Sequence, residues 1–578
     1  MRRGLLVLAL LLATLDTFAW EREYIWPKGK MPDRQQGQVA TMTDEQYKPD
    51  FDPDTHREPY LEWFDAPDPA VRNGGCMILV SGGGYETCCD VHLIKSWRET
   101  YTALGFQCVN FVYRTPRPVG LPVYQTAWED GQRAVRVVRS EAKKRGYDPE
   151  KIGAIGMSAG SHLTLLLVTS SQTPAYERID RIDDISCHLN WAVLNAPAYA
   201  TTDGENGTPA IFEGYGPDVK LSSVFKFDEK TCPITLQHGG RDPYSPNGST
   251  LIYRKFHELG IPAELHLYPD KPHMELGSER AQEFIRQLGI SAPVEPEVAL
   301  MDRFSCDDAR GSYFKEPVWP EGKIPFKQDD QAVPYIEWHF PKILKTKAIQ
   351  IIYSGGSYMG CNPDGYEAAP ARRYLNEMGM TVVTLRYRTP RPVGMEKYVS
   401  AWQDLQRTVR IVRSKAAAFG LDPGQIGIMG CSAGGHLTLM GATSSLHQSY
   451  LPVDDIDNLP CNVQWAVAIY PAYALTDDDE DGYNTTKGLG EGVAIRPEFS
   501  FDLKTCPMFF IHGDADEVSP MISVIFWEKL RAMGIQCELH TLALRDHGFQ
   551  KTASPGTGSY NFMDRIGEYI RSRVHIED

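Results

Sequence analysis

Two stretches of one pattern decide how the chain folds: Lys151-Ile-Gly-Ala-Ile-Gly-Met-Ser158-Ala-Gly-Ser-His-Leu-Thr164 and Gln425-Ile-Gly-Ile-Met-Gly-Cys-Ser432-Ala-Gly-Gly-His-Leu-Thr438. In each, an apolar run meets Gly-x-Ser-x-Gly and continues into a helix-forming run. That order predicts a buried strand, a sharp turn and a helix, the setting in which such a serine is a nucleophile. The turn needs small residues on both flanks for the backbone to pass while the hydroxyl is held outward. Gly156 and Gly160 supply them in the first stretch, Gly430 and Gly434 in the second. A single Gly-x-Ser-x-Gly arises by chance in a glycine-rich chain; two in register with all that follows are a strong signal.

The register is extensive. Ser158 and Ser432 stand 274 residues apart, as do Asp242 and Asp516, and His273 and His547. Tyr113-Arg-Thr-Pro-Arg-Pro-Val-Gly120 recurs unchanged as Tyr387 to Gly394, and Tyr60-Leu-Glu-Trp63 answers Tyr335-Ile-Glu-Trp338. A period this long means a duplicated domain rather than a solenoid. The Pro-rich Ile290-Ser-Ala-Pro-Val-Glu-Pro-Glu297 lacks periodicity and suits a stiff linker. The expected division is therefore a first domain over 20–289, a linker over 290–311 and a second domain over 312–578, the two packed against each other. Within a copy, short β-branched runs alternate with longer amphipathic ones, which predicts α/β architecture, each domain a mostly parallel sheet flanked by helices. In the first copy strands are expected at 77–81, 107–113, 191–195, 234–237 and 263–267, and helices at 94–104, 127–145, 248–259 and 278–288.

Bulk properties narrow the function. With 578 residues, 42% of them hydrophobic and 23% charged, the chain has ample material for large cores. A net charge of −16 without a basic stretch argues against nucleic acid and anionic membrane surfaces as partners. Arg2-Arg3, an apolar run from Gly4 to Leu15 and Thr17-Phe-Ala19 read as a signal peptide over 1–19, cleaved near Ala19, and hence as a secreted or periplasmic protein. Twelve cysteines in such a length do not form a disulfide scaffold, but export permits bridges. Cys187 and Cys232, and their counterparts Cys461 and Cys506, each precede an expected strand. If those strands are neighbours about 4.8 Å apart, each pair could bridge, the alternative being buried free thiols. No Cys/His spacing resembles a zinc site, so no metal is expected.

Serine attack needs a base, and the base needs an orienting carboxylate. After the elbow, His238-Gly-Gly-Arg-Asp242 and His512-Gly-Asp-Ala-Asp516 each follow an apolar strand. Thirty-one residues on come His273 and His547, again just past a strand. Ser158, Asp242 and His273, and Ser432, Asp516 and His547, thus reach one sheet edge in the order this topology demands. Asp514 competes with Asp516, but the first copy has Gly240 at that position and keeps Asp242. Oxyanion donors are expected from Ala159 and Ala433, which follow the serines, and from the turns carrying Gly83, Gly84, Gly356 and Ser357. Tyr85 and Tyr358 in those turns, with Tyr199 and Tyr473 in the loop-rich inserts over 198–230 and 472–504, are expected substrate contacts. His162 and His436 lie one helical turn past each serine, and His238 and His512 open the Asp loops. All four read as packing or hydrogen-bonding residues, and the Tyr-Arg-Thr-Pro-Arg-Pro loops as structural.

These residues together resemble the α/β-hydrolase superfamily, specifically exported bacterial acetyl-xylan-esterase and feruloyl-esterase-like carbohydrate esterases. The motifs that carry the likeness are the Gly-rich turns at 82–84 and 355–357, the Tyr-Arg-x-x-Pro loops, Ser-Ala-Gly at both elbows, and the Asp and His residues above. The resemblance implies hydrolysis of acetyl, or less readily feruloyl, esters on plant polysaccharide such as xylan, through an acyl-enzyme and without cofactor. The usual His ahead of the Gly-rich turn is Ser81 or Ser354 here, so that turn is held differently. Two rival readings are a serine peptidase of the prolyl-oligopeptidase type, disfavoured because no propeller-like repeat precedes either copy, and one active esterase domain beside a degenerate scaffold or glycan-binding domain.

Overall fold

The computed structural model describes residues 21–32, 58–88, 91–118, 120–203, 219–274, 278–290, 310–477, 488–549 and 562–577. The expected leader, nearly all of the linker and the tips of both inserts lie outside them. Contacts divide the chain into two compact units. One is Met1–Tyr199, Gly204–Thr208 and Ser222–Cys232; the other is Ala200–Asp203, Pro209–Leu221 and Pro233–Asp578. The units do not follow the sequence repeat, because the last part of the first copy goes with the second.

In the first unit six strands, β1 (Glu21–Tyr24), β2 (Tyr60–Trp63), β3 (Cys76–Val80), β4 (Gln107–Val112), β5 (Ile152–Met157) and β6 (Trp191–Asn195), line up as β1-β2-β4-β3-β5-β6. From β4 to β6 the pairs are parallel, and β1 and β2 close the edge antiparallel. Helices α1 (Val91–Ala103), α2 (Gln125–Arg145) and α3 (Ala159–Thr169) make the crossovers. The central strands are buried on both faces, so they read as unbroken apolar runs rather than alternating ones. Helix α2 stops at Gly146, whose φ of 78° lets its N–H return to Ala142 O. Lys143, Lys144 and Arg145 in its last turn complement the carbonyl end of the helix.

The second unit holds β7 (Ile234–Gly239) and β8 (Ala263–Tyr268) with helices α4 (Asn247–Glu258) and α5 (Ser278–Gln287). The second copy adds strands β9 (Arg310–Pro317), β10 (Tyr335–Pro341), β11 (Ile349–Tyr353), β12 (Thr381–Arg386), β13 (Ile426–Cys431), β14 (Trp465–Ile469), β15 (Met508–Gly513) and β16 (Cys537–Leu542). Its helices are α6 (Ala369–Glu377), α7 (Val399–Ala416), α8 (Ala433–Thr443), α9 (Met521–Ala532) and α10 (Phe562–Arg571). Strand order is β7-β8-β16-β15-β14-β13-β11-β12-β10-β9. It is parallel from β16 to β12 and antiparallel at β8–β16 and at the β12-β10-β9 edge.

The β8–β16 pairing joins residues that the repeat makes equivalent. His266 is opposite His540, with Nδ1 atoms 2.9 Å apart, and Arg254 on α4 meets Glu528 on α9 at 2.5 Å. Each pair is separated by 274 positions, so the contact surface is two-fold in character. The imidazoles rest on buried carboxylates, His266 on Glu264 at 3.1 Å and His540 on Glu538 at 2.8 Å. Burial drives both imidazole pKa values well below the ordinary range, so the pair is kept neutral.

The expected strands and helices sit where periodicity put them, to within about three residues at their ends. The disulfide expectation requires correction. Cys187, Cys232, Cys461 and Cys506 are buried free thiols. Cys187 and Cys461 lie four residues before their strands and turn back to donate to Ser171 O and Ser445 O, each at 3.2 Å. Among the described residues no helix is long and apolar enough to cross a membrane.

Candidate active site

The second copy shows the site whole within one unit. Ser432 caps β13 and starts α8 with φ 53° and ψ −119°, a conformation that costs a non-glycine residue about 1–3 kcal/mol and persists only under constraint. The constraint is visible at the glycines. A Cβ on Gly434 would lie 2.7 Å from Ser354 O, and one on Gly355 2.8 Å from the Ser432 Cβ. The Gly-rich turn and the elbow therefore pack backbone to backbone, and any side chain there would push them apart. The first copy repeats this. Ser158 has φ 57° and ψ −122°, and a Cβ on Gly160 would lie 2.2 Å from Val80 O.

His547 Nε2 lies 2.9 Å from Ser432 Oγ, and its Nδ1 lies 2.9 Å from both oxygens of Asp516. An ionised carboxylate only accepts, so Nδ1 carries the proton and Nε2 is left to accept from the serine hydroxyl. Asp516 is buried, and it also accepts from Val518 N at 2.6 Å and faces His512 at 3.4 Å. Burial opposes its charge, but the hydrogen bonds from His512 and His547 outweigh that and hold its pKa below the usual carboxylate value. For His547 burial works against the charged form, while the hydrogen bond and charge of Asp516, then Glu367 and Glu517, carry its pKa above the ordinary value. A hydroxyl, a neutral imidazole and a buried carboxylate in line can pass the hydroxyl proton to the ring as the oxygen attacks.

Of the first-copy residues, Ser158 belongs to the first unit and Asp242 and His273 to the second. His273 Nδ1 lies 2.7 Å from Asp242 Oδ2, and Tyr244 N donates to Asp242 Oδ1 at 2.7 Å. Burial opposes the Asp242 charge, yet hydrogen bonds from His238 and His273 bring its pKa down to about 2.

The turns expected to supply oxyanion donors are closed on themselves, with Glu86 N donating to Gly83 O and Met359 N to Gly356 O, at 2.9 and 2.8 Å. Gly83, Gly84, Gly356, Ser357 and the tyrosine after each turn all have positive φ. The first ladder bond of α8 runs from His436 N to Ser432 O at 3.0 Å, so the Ala433 N–H stands ahead of the ladder, as Ala159 does ahead of His162. In place of the family's usual histidine, Ser81 Oγ donates to Cys88 O at 2.5 Å and Ser354 Oγ accepts from Asn362 N at 2.8 Å.

Two of the four expected substrate contacts come out differently. Tyr85 and Tyr358 are fully buried, their hydroxyls 2.7 and 2.8 Å from Nδ1 of His162 and His436. They bolt the oxyanion turn to the elbow helix and present nothing to a ligand. Tyr199 and Tyr473, also buried, stack on them with centroids 5.8 and 6.2 Å apart. His238 and His512 hold their loops through Ser249 and Ser523, at 2.8 and 2.9 Å. Arg114 and Arg388 reach buried Asp130 and Asp404, making the Tyr-Arg-Thr-Pro loops structural. Asp514 is taken by Tyr253 Oη at 2.7 Å and Ala263 N at 3.2 Å, which removes it from competition with Asp516.

Sequence reasoning missed Glu367 and Tyr470. Gly355 N donates to Glu367 Oε2 at 2.7 Å, and Tyr470 packs edge-on to His547 with centroids 4.8 Å apart. A reading built on repetition had no signal for them, because the matching positions in the first copy, 273 residues before Glu367 and 274 before Tyr470, hold Ile94 and Ala196.

A serine on a strained strand-to-helix turn, backed by His and Asp from the following strand ends of a mostly parallel sheet, defines an α/β hydrolase. The chain belongs to the BD-FAE family, whose model matches residues 66–188 and 339–530, more than half of its length. It is 27% identical over 273 residues to an acetylxylan esterase of Xylanibacter ruminicola, a match covering 43% of this chain and 50% of that protein. It is 35% identical over 204 residues to endo-1,4-beta-xylanase B of Butyrivibrio fibrisolvens, covering 34% of this chain and 31% of that one. The chain thus spans about half the length of the first of these curated relatives and about a third of the second. Among solved structures it is similar to an acetyl ester-xyloside bifunctional hydrolase from Caldicellulosiruptor lactoaceticus. That match has 24% identity and a TM-score of 0.37, covering 46% of this chain and 96% of the other.

Proposed function

We propose that the protein is a secreted serine carboxylic-ester hydrolase with two sites, removing acetyl, and less readily feruloyl, groups from plant polysaccharide such as xylan. The observation that carries this reading is the hydrogen-bonded line from Ser432 through His547 to Asp516 at the elbow. Ser432 Oγ attacks the ester carbonyl as His547 Nε2 takes its proton, and Asp516 stabilises the imidazolium. The N–H groups of Gly356, Ser357 and Ala433 receive the oxyanion. As the bond from the acyl carbon to the sugar oxygen breaks, His547 gives its proton to that oxygen, which leaves as the sugar hydroxyl, and the acyl-Ser432 ester is hydrolysed by a water activated by the same histidine. The repeat assigns Ser158, His273 and Asp242 the same roles, with Gly83, Gly84 and Ala159 as donors. The domains are 20–289 and 312–578, joined by 290–311 and packed together through β8 and β16, and export removes residues 1–19. The acetyl and xylan preference is supported by the named relatives, and the reaction needs no cofactor.

The test is acetate and ferulate release from acetylated and feruloylated xylo-oligosaccharides by the parent, Ser158→Ala, Ser432→Ala and the double variant. Activity in both single variants and none in the double variant is expected. One single variant equal to the parent, with the other inactive, would mean that one copy is a scaffold. Activity on aryl acetates with neither acid released would keep the two triads and discard the substrate class.

A further inference from the structure

Glu367 lies ahead of α6, between the turn that is to hold the oxyanion and the side of the catalytic imidazole. Its Oε2 accepts from Gly355 N at 2.7 Å, fixing the first residue of the turn. Its Oε1 faces the hydroxyls of Tyr470 at 3.4 Å and Tyr366 at 3.5 Å, and its backbone carbonyl accepts from Cys431 Sγ at 3.6 Å, one residue before Ser432. Tyr470 is fully buried, and its ring packs against His547. One half-buried carboxylate is therefore tied to all three parts of the site: the turn through Gly355, the elbow strand through Cys431, and the histidine through Tyr470.

Resting on the esterase reading above, we propose that Glu367 is a positioning residue of the second site. It holds the oxyanion turn and the Tyr470 wall in place and sets its own carboxylate on the side of His547. The counterpart positions, Ile94 at the turn's spacing of 273 and Ala196 at the elbow's spacing of 274, carry neither the carboxylate nor the phenol, so this arrangement is peculiar to the second copy. The groups facing His547 are Asp516 and Glu517 from the loop after β15, Glu367 ahead of α6, Tyr470 from the loop after β14 and Ser432 at the elbow, while Arg545 and Asp546 precede it on its own loop. Of the negative ones, Asp516 belongs to the proton relay itself, and Glu367 is the one that also anchors the turn.

The experiment uses the full chain in a Ser158→Ala background, so that the second site alone is read. Hydrolysis of p-nitrophenyl acetate is followed against pH for Glu367, Glu367→Gln, Glu367→Asp and Tyr470→Phe. Loss of the charge lowers the His547 pKa, so in Glu367→Gln the acid limb of kcat/KM moves to lower pH. At the same time plateau kcat falls by about ten- to a hundredfold as the turn loosens. Glu367→Asp restores the limb, and Tyr470→Phe lowers kcat with the limb in place. An unmoved limb in Glu367→Gln overturns the proposal, since a merely structural residue changes the plateau alone. Activity that survives Ser158→Ala with Ser432→Ala overturns the site assignment, and this proposal with it.

Discussion

At the residue scale, His547 shows how neighbouring charges act on the base proposed for the second copy. Burial alone would favour the neutral ring, but Asp516, Glu367 and Glu517 together raise its pKa above the ordinary 6.5. The base must be unprotonated to act, so in Ser158→Ala protein kcat/KM is expected to rise with pH through a midpoint above 6.5. A midpoint below that value in a stopped-flow or pH-stat series would contradict the assignment of His547 as base. Asp516→Asn keeps the shape but leaves Nδ1 without an anionic acceptor, and kcat at the second site is expected to fall by about ten-thousandfold. Loss of less than tenfold, by active-site-titrated kinetics, would instead point to another carboxylate. Asp514 is the nearest rival in sequence, and its bonds to Tyr253 and Ala263 already commit it elsewhere.

At the element scale, the β8–β16 pairing decides which parts of the chain cohere. Edge strands are hazards when left open, and here the two edges cover each other. Because equivalent residues meet, a like-charged pair at Arg254 and Glu528 would repel across the same position; the sequence has diverged to opposite signs there. Both side chains are about a quarter exposed, which limits the pair to about 0.5–1 kcal/mol. Arg254→Glu is expected to lower the melting temperature, and Arg254→Glu with Glu528→Arg to recover most of the loss, in a calorimetric double-mutant cycle. Equal melting temperatures for the parent and both variants would show that the helices make no energetically relevant contact.

At the scale of the whole molecule, the cysteines mark the limit of reasoning by strand neighbourhood. Parallel neighbours begin at similar heights, but Cys187 and Cys461 sit in the approach to their strands, and their thiols find carbonyl acceptors four residues short of the sheet. Alkylation of denatured, unreduced protein followed by peptide mass spectrometry is expected to label Cys187, Cys232, Cys461 and Cys506. A Cys187–Cys232 or Cys461–Cys506 bridge in that digest would reverse the correction made above.

Much was legible from sequence alone because it rests on local rules. Strand–turn–helix at Ser158 and Ser432, the chain order of Ser, Asp and His, and the duplication follow from periodicity, glycine placement and a spacing of 274 shared by Ser, Asp and His. Contacts made by groups that have no repeat partner, or that meet across distant segments, were decided only by the tertiary structure. Tyr85 and Tyr358 looked like substrate contacts beside the Gly-rich turns, yet packing turned them inward onto His162 and His436. Glu367 was invisible because its importance lies in an acceptor placed 2.7 Å from Gly355 N, a relation between two loops that no local pattern encodes. Backbone conformation is set by neighbours along the chain, whereas the direction of a side chain is set by whatever the fold brings against it. For that reason sequence determined the order and spacing of Ser, Asp and His around each elbow, and only tertiary packing decided what surrounds them.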